Sequence, residues 1–175
     1  MERQPMVTSN PLRWSPTTVS RMAVALLGLT ACTSRTMSMD HATLADLGTR
    51  YALAWSSQHP ESLAFFYAET GALTVNGGAP SVGRAVIITT AQGYMTAFPD
   101  MVVKMDSVSQ EGSHAIFHWT WTGTNTGPGG TGKAVRISGY EEWTIGPDGF
   151  IAESKGHFDE AEYQRQLMSD APSTN

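Results

Sequence analysis

The chain has 175 residues, five tryptophans, a single cysteine and a formal charge of −5. That length argues for one domain, and an acidic chain lacks the basic surface that nucleic acid requires. One thiol leaves no partner for an internal disulfide, and there is no cysteine cluster for a structural metal.

The N-terminal stretch differs in kind from the rest. Arg13 and Arg21 precede an apolar run over 22–29, and Thr30, Ala31 and Cys32 follow it. A basic region, a short apolar region and small residues before a cut form a secretory signal. The run is too short to span a bilayer. Leu29-Thr30-Ala31-Cys32 resembles the bacterial lipobox. That resemblance implies that residues 1–31 are removed, that Cys32 carries the lipid and that 32–40 is a tether. Thr33 stands where an Asp often marks inner-membrane retention, so the expected place is the periplasmic face of the outer membrane. The folded domain is expected over 41–168, with 169–175 a frayed tail.

From His41 the pattern is helical, with Leu44, Leu47, Tyr51, Ala54 and Trp55 at three- and four-residue spacing. The helix is expected to end near Ser56–His59, before Pro60. Leu63, Phe66 and Tyr67 predict a second, shorter helix. Ala72–Asn76 reads as a short strand, and 77–80 as a turn. Gly83-Arg84 opens a third helix with Val86, Ile87, Tyr94 and Phe98 on its apolar face, stopped by Pro99-Asp100. Met101, Val103 and Met105 alternate with polar neighbours in a half-buried strand. Three long strands follow, at Ala115–Gly123, Ala134–Ile145 and Phe150–His157, joined by Gly-rich turns. A polar helix over 160–168 closes the chain.

Helices first and strands last predict an α+β fold: a cone-shaped, curved antiparallel sheet covered by three N-terminal helices and enclosing a cavity. Apolar cavities with few polar groups are default ligand sites.

One residue breaks the pattern. Val135, Ile137, Gly139, Glu141, Trp143 and Ile145 share one parity and so point to one face. Five of them suit a core; Glu141 does not. A carboxylate there must be paired, protonated or used. It is either a general acid/base whose pKa is raised by Trp143 and Trp119, or a structural partner of Lys155 or Arg136. If Ile151, Glu153, Lys155 and His157 also face inward, Lys155 tunes Glu141 and His157 is a second proton-transfer group; the other reading of His157 is a rim histidine holding the last helix. Asn125 or Tyr140 is the candidate to polarise a ligand carbonyl, although Tyr140 has the outward parity. Tyr51, Trp55, Tyr94, Phe98, Trp119, Trp121 and Trp143 are candidates for both core and pocket lining. His118 falls on the outer face. No thiol cluster accompanies the histidines, no cofactor motif is present, and neither a metal nor a cofactor is expected.

The order of elements, with Phe98-Pro99-Asp100, Gly123-Thr124-Asn125-Thr126-Gly127, Thr131-Gly132-Lys133, Asp148-Gly149-Phe150-Ile151 and Asp159 followed by Gln166-Leu167, resembles the SnoaL-like polyketide cyclases of the nuclear-transport-factor-2-like superfamily. The match runs over Leu44 to Leu167. It implies a cofactor-independent cyclase, isomerase or lyase acting on a small apolar carbonyl compound, and a homodimer formed through the outer face of the sheet. The cyclases' acid/base Asp falls on Glu141, and their turn histidine on Asn125. The base of related ketosteroid isomerases falls near Asn76, which cannot act as one. The same scaffold also carries non-enzymatic binders, so a lipid-anchored binding module is the second reading.

Overall fold

The computed structural model describes residues 39–168. The expected leader, Cys32 and most of the tether lie outside the described residues, as does the tail 169–175.

Helix α1 (His41–Ser56) starts on Asp40, whose carboxylate accepts hydrogen bonds from the Ala42 and Thr43 amides at 3.0 and 3.1 Å. This cap satisfies donors that the first turn leaves open. The helix buries Leu44, Leu47, Tyr51 and Ala54 on one face. Gln58, at a φ of 60°, turns the chain out of it. Pro60 then opens α2 (Pro60–Ala64), where a missing amide hydrogen costs nothing.

The second helix is shorter than its spacing predicts. Phe66 lies beyond it, and Tyr67 begins β1 (Tyr67–Val75) rather than ending a helix. Leu63 and Tyr67 are both fully buried. Four-residue spacing fits one helical face, but a chain leaving the helix for a strand buries the same two side chains. After β2 (Ser81–Val82), α3 (Arg84–Ala97) buries Ile87, Ala91 and Met95. Val86, expected on that face, is 48% exposed.

The strands β3 (Val102–Glu111), β4 (His114–Thr124), β5 (Ala134–Ile145) and β6 (Ile151–Phe158) form the expected meander, and α4 (Glu160–Met168) follows. They belong to a six-stranded curved, unclosed sheet in the order β2-β1-β6-β5-β4-β3. Every pairing is antiparallel except one: β1 and β6 run parallel, with Leu73 opposite Ser154 and Val75 opposite Gly156. The first strand therefore docks beside the last.

Two irregularities re-aim side chains. On β3 an extra residue, Asp106, sits between the pairs Met105–Trp119 and Ser107–His118. On β6 an extra residue, Ala152, sits between the pairs Ile145–Ile151 and Thr144–Glu153. A bulge of this kind reverses which face the following residues take. Where β1 leaves and rejoins β6, a Cβ on Gly71 would lie 2.7 Å from the Ile151 carbonyl, so only glycine fits.

The core lies on the inner face of the sheet. Val135, Ile137, Glu141, Trp143 and Ile145 of β5 are all buried there, as their parity predicts. Phe117 stacks on Trp143 with ring centroids 4.7 Å apart, and Tyr51 of α1 meets Trp143 edge-on at 4.9 Å. Such contacts add to the area they bury. Gly139 is the gap in the row. A Cβ there would lie 2.6 Å from the Trp119 ring, which lies over the glycine from the neighbouring strand.

Candidate functional site

Glu141 is 5% exposed and sits in the middle of β5. Three neutral donors converge on one of its oxygens, Oε2. They are the Tyr51 hydroxyl at 2.8 Å, the Trp143 indole N–H at 2.9 Å and the Ser154 hydroxyl at 2.5 Å. The Tyr67 hydroxyl lies 2.7 Å from that of Tyr51. Since Tyr51 gives its proton to Glu141, Tyr67 is the donor in that pair. The three donors come from α1, β5 and β6, and Tyr67 behind Tyr51 from β1, so the site exists only when both ends of the domain have come together.

The other oxygen, Oε1, has no hydrogen bond among the described residues, while Glu141 lines a cleft of about 530 Å³, mouth included. The remaining walls are Trp55, Tyr94, Trp119, Trp121 and Phe158, with Leu73, Val75, Met101, Val103 and Gly156. Among the described residues no lysine, arginine or histidine lines the cleft. Burial pushes the Glu141 carboxyl above its ordinary value, and the bonds from Ser154, Trp143 and Tyr51 pull it only part of the way back. Burial, then the Glu141 charge, pushes the Tyr51 and Tyr67 hydroxyls up as well, so both stay protonated as donors. Because Oε2 is saturated with donors, a proton taken up by Glu141 goes to Oε1.

The bulge at Ala152 corrects the expectation for β6. Ser154 and Gly156 face inward, while Glu153, Lys155 and His157 do not line the cleft. Lys155 Nζ pairs with Glu153 Oε2 at 3.1 Å, both half-exposed. Neither Lys155 nor Arg136, which is exposed on the outer side of β5, partners Glu141. His157 stacks on Tyr140 at 4.8 Å, and its Nε2 lies 3.1 Å from Glu142 Oε1 without the angle of a hydrogen bond. Tyr140 and His118 stand on the outer face beside it. His157 and Tyr140 are therefore not placed at the cleft, where their expected roles would need them.

Asn125 is occupied elsewhere. Its amide donates to the Ala97 carbonyl at 3.1 Å and accepts from the Thr131 amide at 2.8 Å. It pins the Gly-rich loop to the end of α3, and it does not line the cleft. Asn76, at a φ of 47°, accepts from the Phe158 amide at 2.9 Å and donates to Glu160 at 3.1 Å, which ties β1 to the start of α4. Of the expected lining residues, Trp55, Tyr94, Trp119 and Trp121 reach the cleft; Tyr51, Trp143 and Phe98 are packed behind its wall.

Sequence reasoning missed Tyr67, Ser154 and Phe158. A hydroxyl in a strand reads as surface, and only the pairing of β6 with β1 and β5 puts Ser154 under Glu141. Two further donors stand out. The indole N–H groups of Trp119 and Trp121 are buried with no hydrogen-bond partner, on residues that line the cleft. The Tyr94 hydroxyl likewise makes no hydrogen bond among the described residues. No group of three or more His, Cys, Asp or Glu among the described residues is placed to hold a metal ion.

A curved sheet that folds an aromatic cleft around one inward carboxylate defines the ligand-cavity class of α+β proteins. The family model for SnoaL-like polyketide cyclases matches residues 45–167, and the chain belongs to that family. No curated protein matches it by sequence. Among solved structures, one from Catenulispora acidiphila with a ketosteroid isomerase-like fold, in complex with trimethylamine, is 17% identical, with a TM-score of 0.64 over 74% of this chain and 98% of that one. TsrD from Streptomyces laurentii is 20% identical, with a TM-score of 0.65 over 75% of this chain and 98% of its own. SalBIII, an epoxide hydrolase/cyclase-like enzyme with a role in pyran ring formation in the polyether salinomycin, is 16% identical, with a TM-score of 0.60 over 70% and 95%. At these identities the likeness establishes the fold.

Proposed function

We propose that the protein is a cofactor-independent acid/base enzyme acting on a small, largely apolar carbonyl compound. One observation carries this reading: a buried carboxylate with a raised pKa, held by neutral donors on one oxygen, with its other oxygen unbonded on the wall of an apolar cleft. Structural carboxylates are normally satisfied by cations or by bonds to both oxygens. A general base needs a free oxygen and a pKa moved towards working pH. The substrate's carbonyl oxygen would take the Tyr94 hydroxyl or the unpartnered indole N–H groups, since a buried donor left unpaired costs about 1–3 kcal/mol. The family and the cyclase-like neighbour support enzymatic use of the scaffold, and the trimethylamine held by another neighbour supports a cavity that admits small ligands. The test is solvent deuterium incorporation next to the carbonyl in a panel of small enolisable ketones, followed by NMR. The protein should accelerate exchange and Glu141→Gln should not; equal exchange in both leaves a binding module.

The reading extends to location and assembly. The protein is an exported lipoprotein anchored through Cys32, on the strength of Leu29-Thr30-Ala31-Cys32 after an apolar run. Cys32→Ser should move it from the membrane to the soluble fraction, because the substitution leaves no acyl chain to hold it. Wild-type protein found soluble with residues 1–31 intact would overturn the anchor.

The outer face of β4 and β5 is the dimer surface. It presents His118, Ser138 and Tyr140 around Thr120, whose hydroxyl is already bonded to Asp106 at 2.7 Å. Light scattering at high micromolar concentration should give twice the chain mass; the monomer mass there counts against a dimer.

A further inference from the structure

The cleft poses a charge problem that the carbonyl reading alone leaves open. Among the described residues its only carboxylate is Glu141, and no basic side chain lines the space. An ionised carboxylate taken out of water needs an opposite charge or it reverts to the neutral acid. The donors on Oε2 are all neutral. Whatever supplies a positive charge must enter from outside.

The walls have the matching chemistry. Five of the lining residues are aromatic. Trp55 and Tyr94 meet at 85° with centroids 6.0 Å apart, and Tyr94 and Trp121 at 87° and 6.1 Å. Three successive rings at right angles thus stand together along the cleft. Trp119 and Phe158 meet at 63° and 6.3 Å. Aromatic faces carry negative charge density and attract cations, tryptophan most strongly, and the attraction grows when water is excluded. Aliphatic walls from Leu73, Val75, Met101 and Val103 suit alkyl substituents and do nothing for a hydrated ammonium.

We infer that the cleft binds a small organic cation, an alkylated ammonium whose methyl or methylene groups pack against Trp55, Tyr94, Trp119 and Trp121 while its charge faces Glu141 Oε1. The inference rests on the proposed role of the site only in taking Glu141 as part of its wall, and it names the substrate class: a carbonyl compound bearing an alkylated ammonium. Such a ligand solves the problem of the base. Its charge holds Glu141 ionised in a place where burial favours the neutral acid, so the proton-accepting form is populated when the cation is bound. A simple primary ammonium fits less well, since the side chains lining the cleft offer only Glu141 Oε1 and the Tyr94 hydroxyl as acceptors for its three hydrogens.

The test is calorimetric titration of the full chain with choline and with 3,3-dimethyl-1-butanol, its neutral isostere. Shape and hydroxyl are shared, so only the charge differs. The protein should bind choline at least about tenfold more tightly than the alcohol. In Glu141→Gln, with folding confirmed by near-ultraviolet circular dichroism, the preference should shrink to about twofold, the part owed to the rings. Trp55→Leu keeps the carboxylate and removes one wall, and it should weaken choline more than the alcohol. Equal affinity for the two, tighter binding of the alcohol, or no binding of either at millimolar concentration overturns the inference. The measurement is of binding alone. Failure of deuterium exchange with the choline preference intact removes the proton-transfer role and leaves the cation site; the opposite result removes only the cation site.

Discussion

Glu141→Gln should sharply lower the proposed acid/base activity while leaving the domain folded. Activity should fall by about two to four orders of magnitude, the range for losing a positioned acid/base group. The amide keeps the shape, and its oxygen can still accept from Tyr51, Trp143 and Ser154. What disappears is the titration. The folded-state pKa of Glu141 is raised. Its contribution to stability is therefore full below the ordinary glutamate value and is lost as pH rises through the raised one. The variant lacks that loss. Its melting temperature should match the wild type in acid and equal or exceed it at neutral and alkaline pH. Both readouts belong on one sample. A fully active variant would remove Glu141 from the chemistry. A large loss of stability at neutral pH would mean that the carboxylate has an ionic partner after all.

Trp143→Ala should be the most destabilising change at the site. Trp143 is 1% exposed, stacks on Phe117 and meets Tyr51 edge-on, and its N–H holds Glu141. Truncating a buried tryptophan costs about 3–5 kcal/mol, and losing a hydrogen bond to a charged group adds about 1.5–3. Against a total stability of about 5–15 kcal/mol, urea unfolding should show a domain at the edge of folding. Trp143→Phe preserves the stack and removes only the N–H, so its cost should be the smaller part. A loss below about 1 kcal/mol for the alanine variant would contradict the packing described.

The legibility of the site followed the regularity of each strand. β5 pairs with β4 without a break from Thr124–Ala134 to His114–Thr144, so counting by twos along it placed Glu141 and Trp143 correctly. β6 carries the bulge at Ala152, and the same counting turned Lys155 and His157 inward when they face out. Nothing in the local sequence marks that bulge; it is set by the two neighbours β6 must satisfy at once. Ser154 and Tyr67 were hidden for another reason. The Ser154 hydroxyl is buried against Glu141 and the Tyr67 hydroxyl against that of Tyr51, contacts that exist only once distant segments meet. Asn125 was misassigned because an amide in a glycine-rich turn can serve a ligand or the turn itself, and here the Ala97 carbonyl claims it. The fold class survived these errors because it depends on the order of elements.

The parallel contact between the first and last large strands also governs how the chain acquires its structure. Leu73 lies beside Ser154 and Val75 beside Gly156, so more than half the described chain must be in place before that contact closes. Contacts between residues distant in sequence are entropically late, and folds rich in them form slowly. Until β6 arrives, β1 has only the two-residue β2 as a neighbour, and Glu141 lacks the Ser154 hydroxyl. A chain emerging from its N-terminus would thus stay open until nearly all of it is out. Under the export proposed above, that delay would be an advantage, because connectivity itself would forestall closure before the chain has crossed the membrane.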